Sequence, residues 1–370
     1  MNPEELLRLK IRLLTEGATL PTGESGGRKG GAGPIGGRYF LLPNGNPVGI
    51  PIRSGKQAEM YDSAPLLPTN NPKVWLYDTS IELEQISQPD FYSQTTKDGI
   101  PFYKIALLHG KDTLATTVYQ HCRYWDLGLQ CKFCTIPYSL TNDATILEKT
   151  PSQIQEVLIA AEAEGVVRSI LLTTGTPDSI DVGIERLYNI VKAIREVSDL
   201  PIGIQIEPPL DESWLKRIHE IGVDTIGIHI ETADSDIRAE MCPGKYQYAD
   251  LDRYRKVWKI AVDLFGRGNV STFILHGLGE ELDSTLELVN ELAEIGVLSV
   301  VTPIRPAKDS QLGDYNPQYI GRLEESVQFY KNIGHILFNH KINPNETRAG
   351  CHSCGGCTPI QEAYDWAASA

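Results

Sequence analysis

The sequence predicts an α/β fold, a partial (β/α)6 barrel of parallel strands with an N-terminal β-rich extension and a Cys-rich C-terminal tail. Three observations predict it. After Leu114 the apolar pattern alternates between strand-like runs and helix-like periods. Three helical stretches end in Gly-Val and pass straight into a β-branched run: Gly165-Val166, Gly222-Val223 and Gly296-Val297. Such helix-Gly-strand units imply right-handed crossovers between parallel strands, and six strands are too few for the closed eight-stranded form.

The expected strands are Leu114–Tyr119, Ser169–Thr174, Ile202–Glu207, Thr225–Glu231, Val270–Leu275 and Leu298–Ile304. Thr150-Pro151-Ser152-Gln153 reads as a capping box with proline at the first helical position. Ile184, Leu187, Ile190, Val191 and Ile194 mark one face of the next helix, and Ser284 with Glu287 reads as the start of another. The N-terminal MNPEELLRLKIRLLTEG reads as an amphipathic helix without a signal peptide's apolar centre. Residues 22–37 hold eight glycines and read as a loop or lid, and only loosely as a phosphate cradle. Short apolar runs follow at Tyr39–Leu42, Val74–Tyr77 and Tyr103–Leu108, with a turn at Asn44-Gly45. The expected division is 1–110 for the helix, Gly-rich loop and β-rich extension, 111–340 for the barrel, and 341–370 for the tail.

The formal charge of −14 and the absence of a Lys/Arg run argue against nucleic acid. No apolar run is long enough to cross a membrane, and a cytoplasmic protein is expected. Of seven cysteines, six fall in two tight groups, which points to metal ligation in a reducing compartment.

The first group, Cys122, Cys131 and Cys134, follows the first barrel strand. Three thiolates leave one iron of a four-iron cluster open, whereas structural zinc would want a fourth ligand. A three-cysteine loop here, ending Cys-x-aromatic-Cys, resembles the radical S-adenosylmethionine (SAM) superfamily. The most familiar spacing there is three residues and then two; here it is eight and then two. Further stretches carry the resemblance: Thr174-Gly175-Thr176 after the second strand, His229-Ile230-Glu231-Thr232 at the fourth, and Leu275-His276-Gly277-Leu278-Gly279-Glu280 at the fifth. The look is nearest to the lipoyl synthase and biotin synthase branch, and is also similar to a radical SAM family encoded beside nitrilases.

The resemblance implies a [4Fe-4S] cluster on Cys122, Cys131 and Cys134 that cleaves SAM reductively to a 5′-deoxyadenosyl radical. It implies that Thr174, Gly175 and Thr176 hold the SAM amino group, Glu231 the ribose, and Arg238 the carboxylate, with Phe133 and Gly277 beside adenine. Glu207 is a candidate for SAM or substrate, Arg305 for a substrate carboxylate or phosphate, and His276 for proton transfer. The expected partners are a small-molecule substrate and an electron donor such as flavodoxin or ferredoxin. Cys351, Cys354 and Cys357 read as a second iron–sulfur site or a zinc site, with His352 or Cys242 as further ligand candidates. The rival from another class is a non-catalytic zinc or iron–sulfur module for binding or electron transfer.

Overall fold

The structure is a computed structural model that describes residues 1–20, 37–68, 73–76, 81–177, 180–308 and 310–370. The expected glycine-rich lid, apart from Gly37, lies outside the described residues. Six strands run parallel in chain order: Thr113–Thr117, Ser169–Thr173, Ile202–Ile206, Thr225–Ile228, Val270–His276 and Val297–Pro303. They form an open curled sheet, the partial barrel expected. The short strand Leu107–His109 adds to its first edge, antiparallel to Thr113–Thr117. The barrel sheet therefore begins before residue 111.

Local rules explain the crossovers. Thr150 caps the helix Pro151–Glu164 in a reciprocal box with Gln153. Gly165 and Gly296 end their helices in left-handed conformation, at φ 77° and 98°, and release the chain into the next strand. One expected start is displaced: that helix runs Leu282–Ile295 after Glu281, so Ser284 and Glu287 form no capping box. The fourth strand also stops early, at Ile228. Glu231 returns to the sheet only as an isolated bridge to Ile274, with φ of 73°. A non-glycine residue in that region is uncommon, and here it sits at the candidate site.

Residues 37–85 build a separate six-stranded sheet with Ala18–Thr19. Gly45, at φ 81°, turns the hairpin between Gly37–Leu41 and Pro47–Pro51. The run Tyr103–Leu108 is strand only at its end: Phe102–Ile105 is a helical turn that buries Phe102 and Ile105, and the strand Leu107–His109 follows it. The helix Pro3–Thr15 packs Leu9, Leu13 and Leu14 on this sheet and Leu7 and Ile11 on the barrel's core. It is pinned by a buried ion pair from Lys10 to Glu362 on the helix Ile360–Ser369.

The barrel's helix side is packed by Ile170, Leu172, Ile204, Ile226 and Ile228. Ala115 and Leu171 alternate with these residues and face the concave side, where they pack on Cys351. Residues 350–358 thus enter the concave interior. Gly350 lies against Gly203, where a Cβ would meet its nitrogen at 3.0 Å. Thr302 Oγ1 donates to the Cys357 carbonyl at 2.6 Å, and Gly49 N–H donates to the Gly356 carbonyl at 2.6 Å.

Candidate active site

The loop carrying the first cysteines is pinned on two sides. Arg123 N–H donates to the Thr176 carbonyl at 2.8 Å, and Lys132 N–H donates to the Met241 carbonyl at 2.8 Å. Gly175 allows this approach: a Cβ there would lie 1.9 Å from the His121 carbonyl oxygen. Gly244 does the same for Tyr124, whose ring would lie 2.4 Å from an added Cβ.

Cys122, Cys131 and Cys134 line one end of a cavity of about 200 Å³. Phe133, Thr174, Gly175, Thr176, Glu207 and Glu231 line it too, so the strand ends bring these candidates together. A larger hollow of about 560 Å³, beside Arg186 and Asn189, contains no thiol, and its chemistry is that of an outer crevice. Burial pushes all three thiols up. Cys134 rises to about 12 by burial and by Cys131, while Cys131 rises through the Cys242 thiol bonded to it and through burial. Such thiols bind metal by giving up protons, and only a positive centre makes three neighbouring thiolates tolerable.

Three sulfur donors around one cavity fit an iron–sulfur cluster, with one position of four left to another ligand. Among the described residues, no three Cys, His, Asp or Glu side chains are drawn onto a single metal point. The three thiols are electrostatic neighbours at one cavity end instead.

Two carboxylates face these thiols. Glu207 accepts from Thr176 Oγ1 at 2.7 Å and from the Tyr124 hydroxyl at 2.9 Å. Glu231 pairs with Lys245. Burial alone would lower Lys245, but Glu231 and then Cys131 hold it well above the usual lysine value. Neither Tyr124 nor Lys245 was expected from the sequence. Lys245 follows Cys242-Pro243-Gly244 at the start of the helix Pro243–Tyr248, and nothing in that stretch of sequence names its partner.

Other candidates lie elsewhere. Arg238 is buried, donates to the Lys245 and Ala249 carbonyls, and lies over the Tyr254 ring. It pins the helix Pro243–Tyr248 that carries Lys245 and does not line the cavity. His276 is 3% exposed, bonded to Glu280 at 3.0 Å and packed on Tyr319 and Phe329. It faces packed aromatics, so the structure gives it no route to the cavity. Gly277, at φ 102°, makes the turn against Tyr319 that a Cβ would block at 2.6 Å. Arg305 also stands apart, beside Gly37, with Nε and Nη2 buried and unpartnered.

In the tail, Cys351, Cys354 and Cys357 are mutual neighbours, and burial first, then Cys354 and Cys357, pushes Cys351 well up. Gln205 Nε2 donates to Cys351 Sγ at 3.1 Å. Cys242 is no partner of this group, because it is fully buried against Cys131. His352 is fully buried with both ring nitrogens unpartnered, and burial lowers it to about 4.

Fold and site define a half-barrel enzyme with a cysteine-lined pocket at its strand ends. Residues 128–292 match the Radical SAM superfamily. Those residues are a radical SAM domain, and enzymes of that superfamily use a [4Fe-4S] cluster and SAM. The chain is 24% identical over 354 residues to the bacteriochlorophyllide c C-7(1)-hydroxylase of Chlorobaculum limnaeum, covering 88% of this chain and 84% of that protein. Methylornithine synthase is similar at 18% identity and TM-score 0.49, over 68% of this chain and 72% of that one. The [FeFe]-hydrogenase maturase HydG of Carboxydothermus hydrogenoformans is similar at 19% identity and TM-score 0.46, over 62% of this chain and 51% of that one. Among the described residues, no helix is long and apolar enough to cross a membrane.

Proposed function

We propose that Cys122, Cys131 and Cys134 hold the SAM-cleaving cluster and that the adjoining cavity receives SAM and a small-molecule substrate. The observation that carries this reading is the meeting of three thiols, the Thr174–Thr176 turn and two buried carboxylates around one cavity. When bound, the reduced cluster and SAM supply a 5′-deoxyadenosyl radical for hydrogen abstraction.

The chain's own groups bind and orient. The Gly175 turn presents backbone to the SAM amino group, and Glu231 is placed to accept from ribose hydroxyls. Phe133 offers an apolar face to adenine, and Glu207, fixed by two hydroxyls, suits an amino or hydroxyl donor. Burial of the site excludes water. Arg305 suits a carboxylate or phosphate group, and a low-potential donor of the flavodoxin or ferredoxin kind supplies the electron. Cys351, Cys354 and Cys357 hold a second iron–sulfur cluster in this reading, supported by three neighbouring thiols within seven residues.

Anaerobic reconstitution with iron and sulfide, then dithionite and SAM, tests this. Deoxyadenosine is expected from wild type and Cys354→Ala but not from Cys131→Ala. Cys354→Ala is expected to lose about half of the iron. Iron-loaded wild type that yields no deoxyadenosine and shows no spectral response to SAM would sink the reading in favour of a binding module. Zinc in the tail, with iron in the first loop, would correct the second site alone.

A further inference from the structure

The deep wall of the cavity carries an imidazole that the binding of SAM leaves unused. His229 lines the cavity two residues before Glu231. Its Nδ1 accepts the backbone N–H of Phe273 at 3.0 Å. An acceptor nitrogen carries no proton, so the proton of the neutral ring lies on Nε2. The ring is stacked on Phe273, with centroids 4.3 Å apart and planes 25° apart. Gly227 makes room for it, because a Cβ there would lie 2.6 Å from His229 Cε1. Orientation and tautomer are thus both fixed by neighbours.

His229 Nε2 is buried and has no hydrogen-bond partner. A buried donor left unmade costs about 1–3 kcal/mol, so a native structure that keeps one has a use for it. The ring stays neutral: burial, and then the charge of Lys245, hold it well below the usual histidine value. The group is therefore a fixed neutral donor, unsuited to proton abstraction and suited to holding an acceptor. Next to it, Gln205 also lines the cavity and is steadied by its bond to Cys351.

We propose that the inner end of the cavity is a substrate subsite in which His229 Nε2–H donates to an acceptor oxygen of the substrate, a carbonyl or carboxylate, beside Gln205. It rests on the cavity's being the reaction chamber. It makes His229 a positioning residue that holds the substrate by a polar handle, leaving an unactivated carbon toward the SAM end. The cavity holds about 200 Å³, so the ligand is small.

The test uses the reconstituted full chain in its oxidised, EPR-silent state, labelled with 15N-histidine. Long-range 1H–15N correlations report each ring's tautomer, and His229→Gln assigns the His229 signals. The free protein is expected to show His229 as the Nε2–H tautomer, unprotonated from about pH 6 to 8. Acetate or acetamide is expected to shift the His229 resonances saturably, while methylammonium, which offers no acceptor, leaves them in place. A response to acetate alone identifies a carboxylate handle, and a response to acetamide a neutral carbonyl. An Nδ1–H or protonated ring, silence toward both acceptors, or an equal response to methylammonium would overturn the subsite. Neither SAM nor reduction enters this measurement, so its failure is separable from failure to form deoxyadenosine.

Discussion

The Lys245 ammonium meets the Glu231 carboxylate inside the cysteine pocket, with side-chain exposures of 15% and 9%. This contact explains how Glu231 is held in a left-handed conformation that no local sequence signal favours. It also balances a carboxylate with an ammonium next to Cys131. Lys245→Met leaves that carboxylate buried and alone. A loss of about 3–5 kcal/mol in unfolding free energy is expected, measured by urea denaturation, with much of it restored in a Lys245→Met, Glu231→Gln double variant. Equal losses in the single and double variants would remove the pairing argument.

Glu207 is oriented by two hydroxyls, and the sequence suggested only the carboxylate. Tyr124→Phe and Thr176→Val each remove one hydrogen bond to a charged acceptor, worth about 1.5–3 kcal/mol. Each is expected to weaken equilibrium SAM binding about tenfold or more without loss of iron. Unchanged SAM affinity in both variants would reassign Glu207 to a purely structural role.

Lys10 and Glu362 are both fully enclosed, and Asn46 Nδ2 adds a bond to the same carboxylate at 2.8 Å. Lys10→Met is expected to cost about 3–5 kcal/mol by stranding the charge, and far less when combined with Glu362→Leu. Protease cleavage of the helix Ile360–Ser369 should accelerate in the single variant. A single variant as resistant as wild type would show that the pair is dispensable.

Lys149 is buried, and burial lowers it to about 7. Its Nζ donates to the Thr117 carbonyl and to Thr145 Oγ1, both at 2.7 Å, and at 3.3 Å to the Ile146 carbonyl. Between about pH 7 and the ordinary lysine value near 10.4, the unfolded chain binds a proton that the folded chain does not. Stability from this group therefore rises with pH across that window and is lost on acidification toward 7. Urea midpoints for wild type and Lys149→Met at pH 7 and 9 check it: the wild type should gain relative to the variant at the higher pH. Parallel midpoints would refute the buried neutral amine.

Side chains that act through local periodicity were readable in the sequence. The capping box at Thr150 and the glycine ends at Gly165 and Gly296 are local devices, and they fixed the order of the half-barrel. Cys122, Cys131, Cys134, Phe133 and the Thr174 turn were readable because they follow strands directly. Lys245, Tyr124 and the insertion of the tail beside Ala115 left no such trace, since each depends on elements far apart in the chain. Arg238 and His276 misled for the opposite reason. Both sit close to true cavity residues in sequence, but a helix and a tight turn point them into packing.

The tail's place inside the barrel sets an order of assembly. Residues 350–358 reach the ribosome exit after every barrel strand, so the concave chamber stands open through most of synthesis. Once Lys10 meets Glu362, the helix that follows the tail is tied to the helix Pro3–Thr15, so elements made at opposite times in synthesis are joined in one contact.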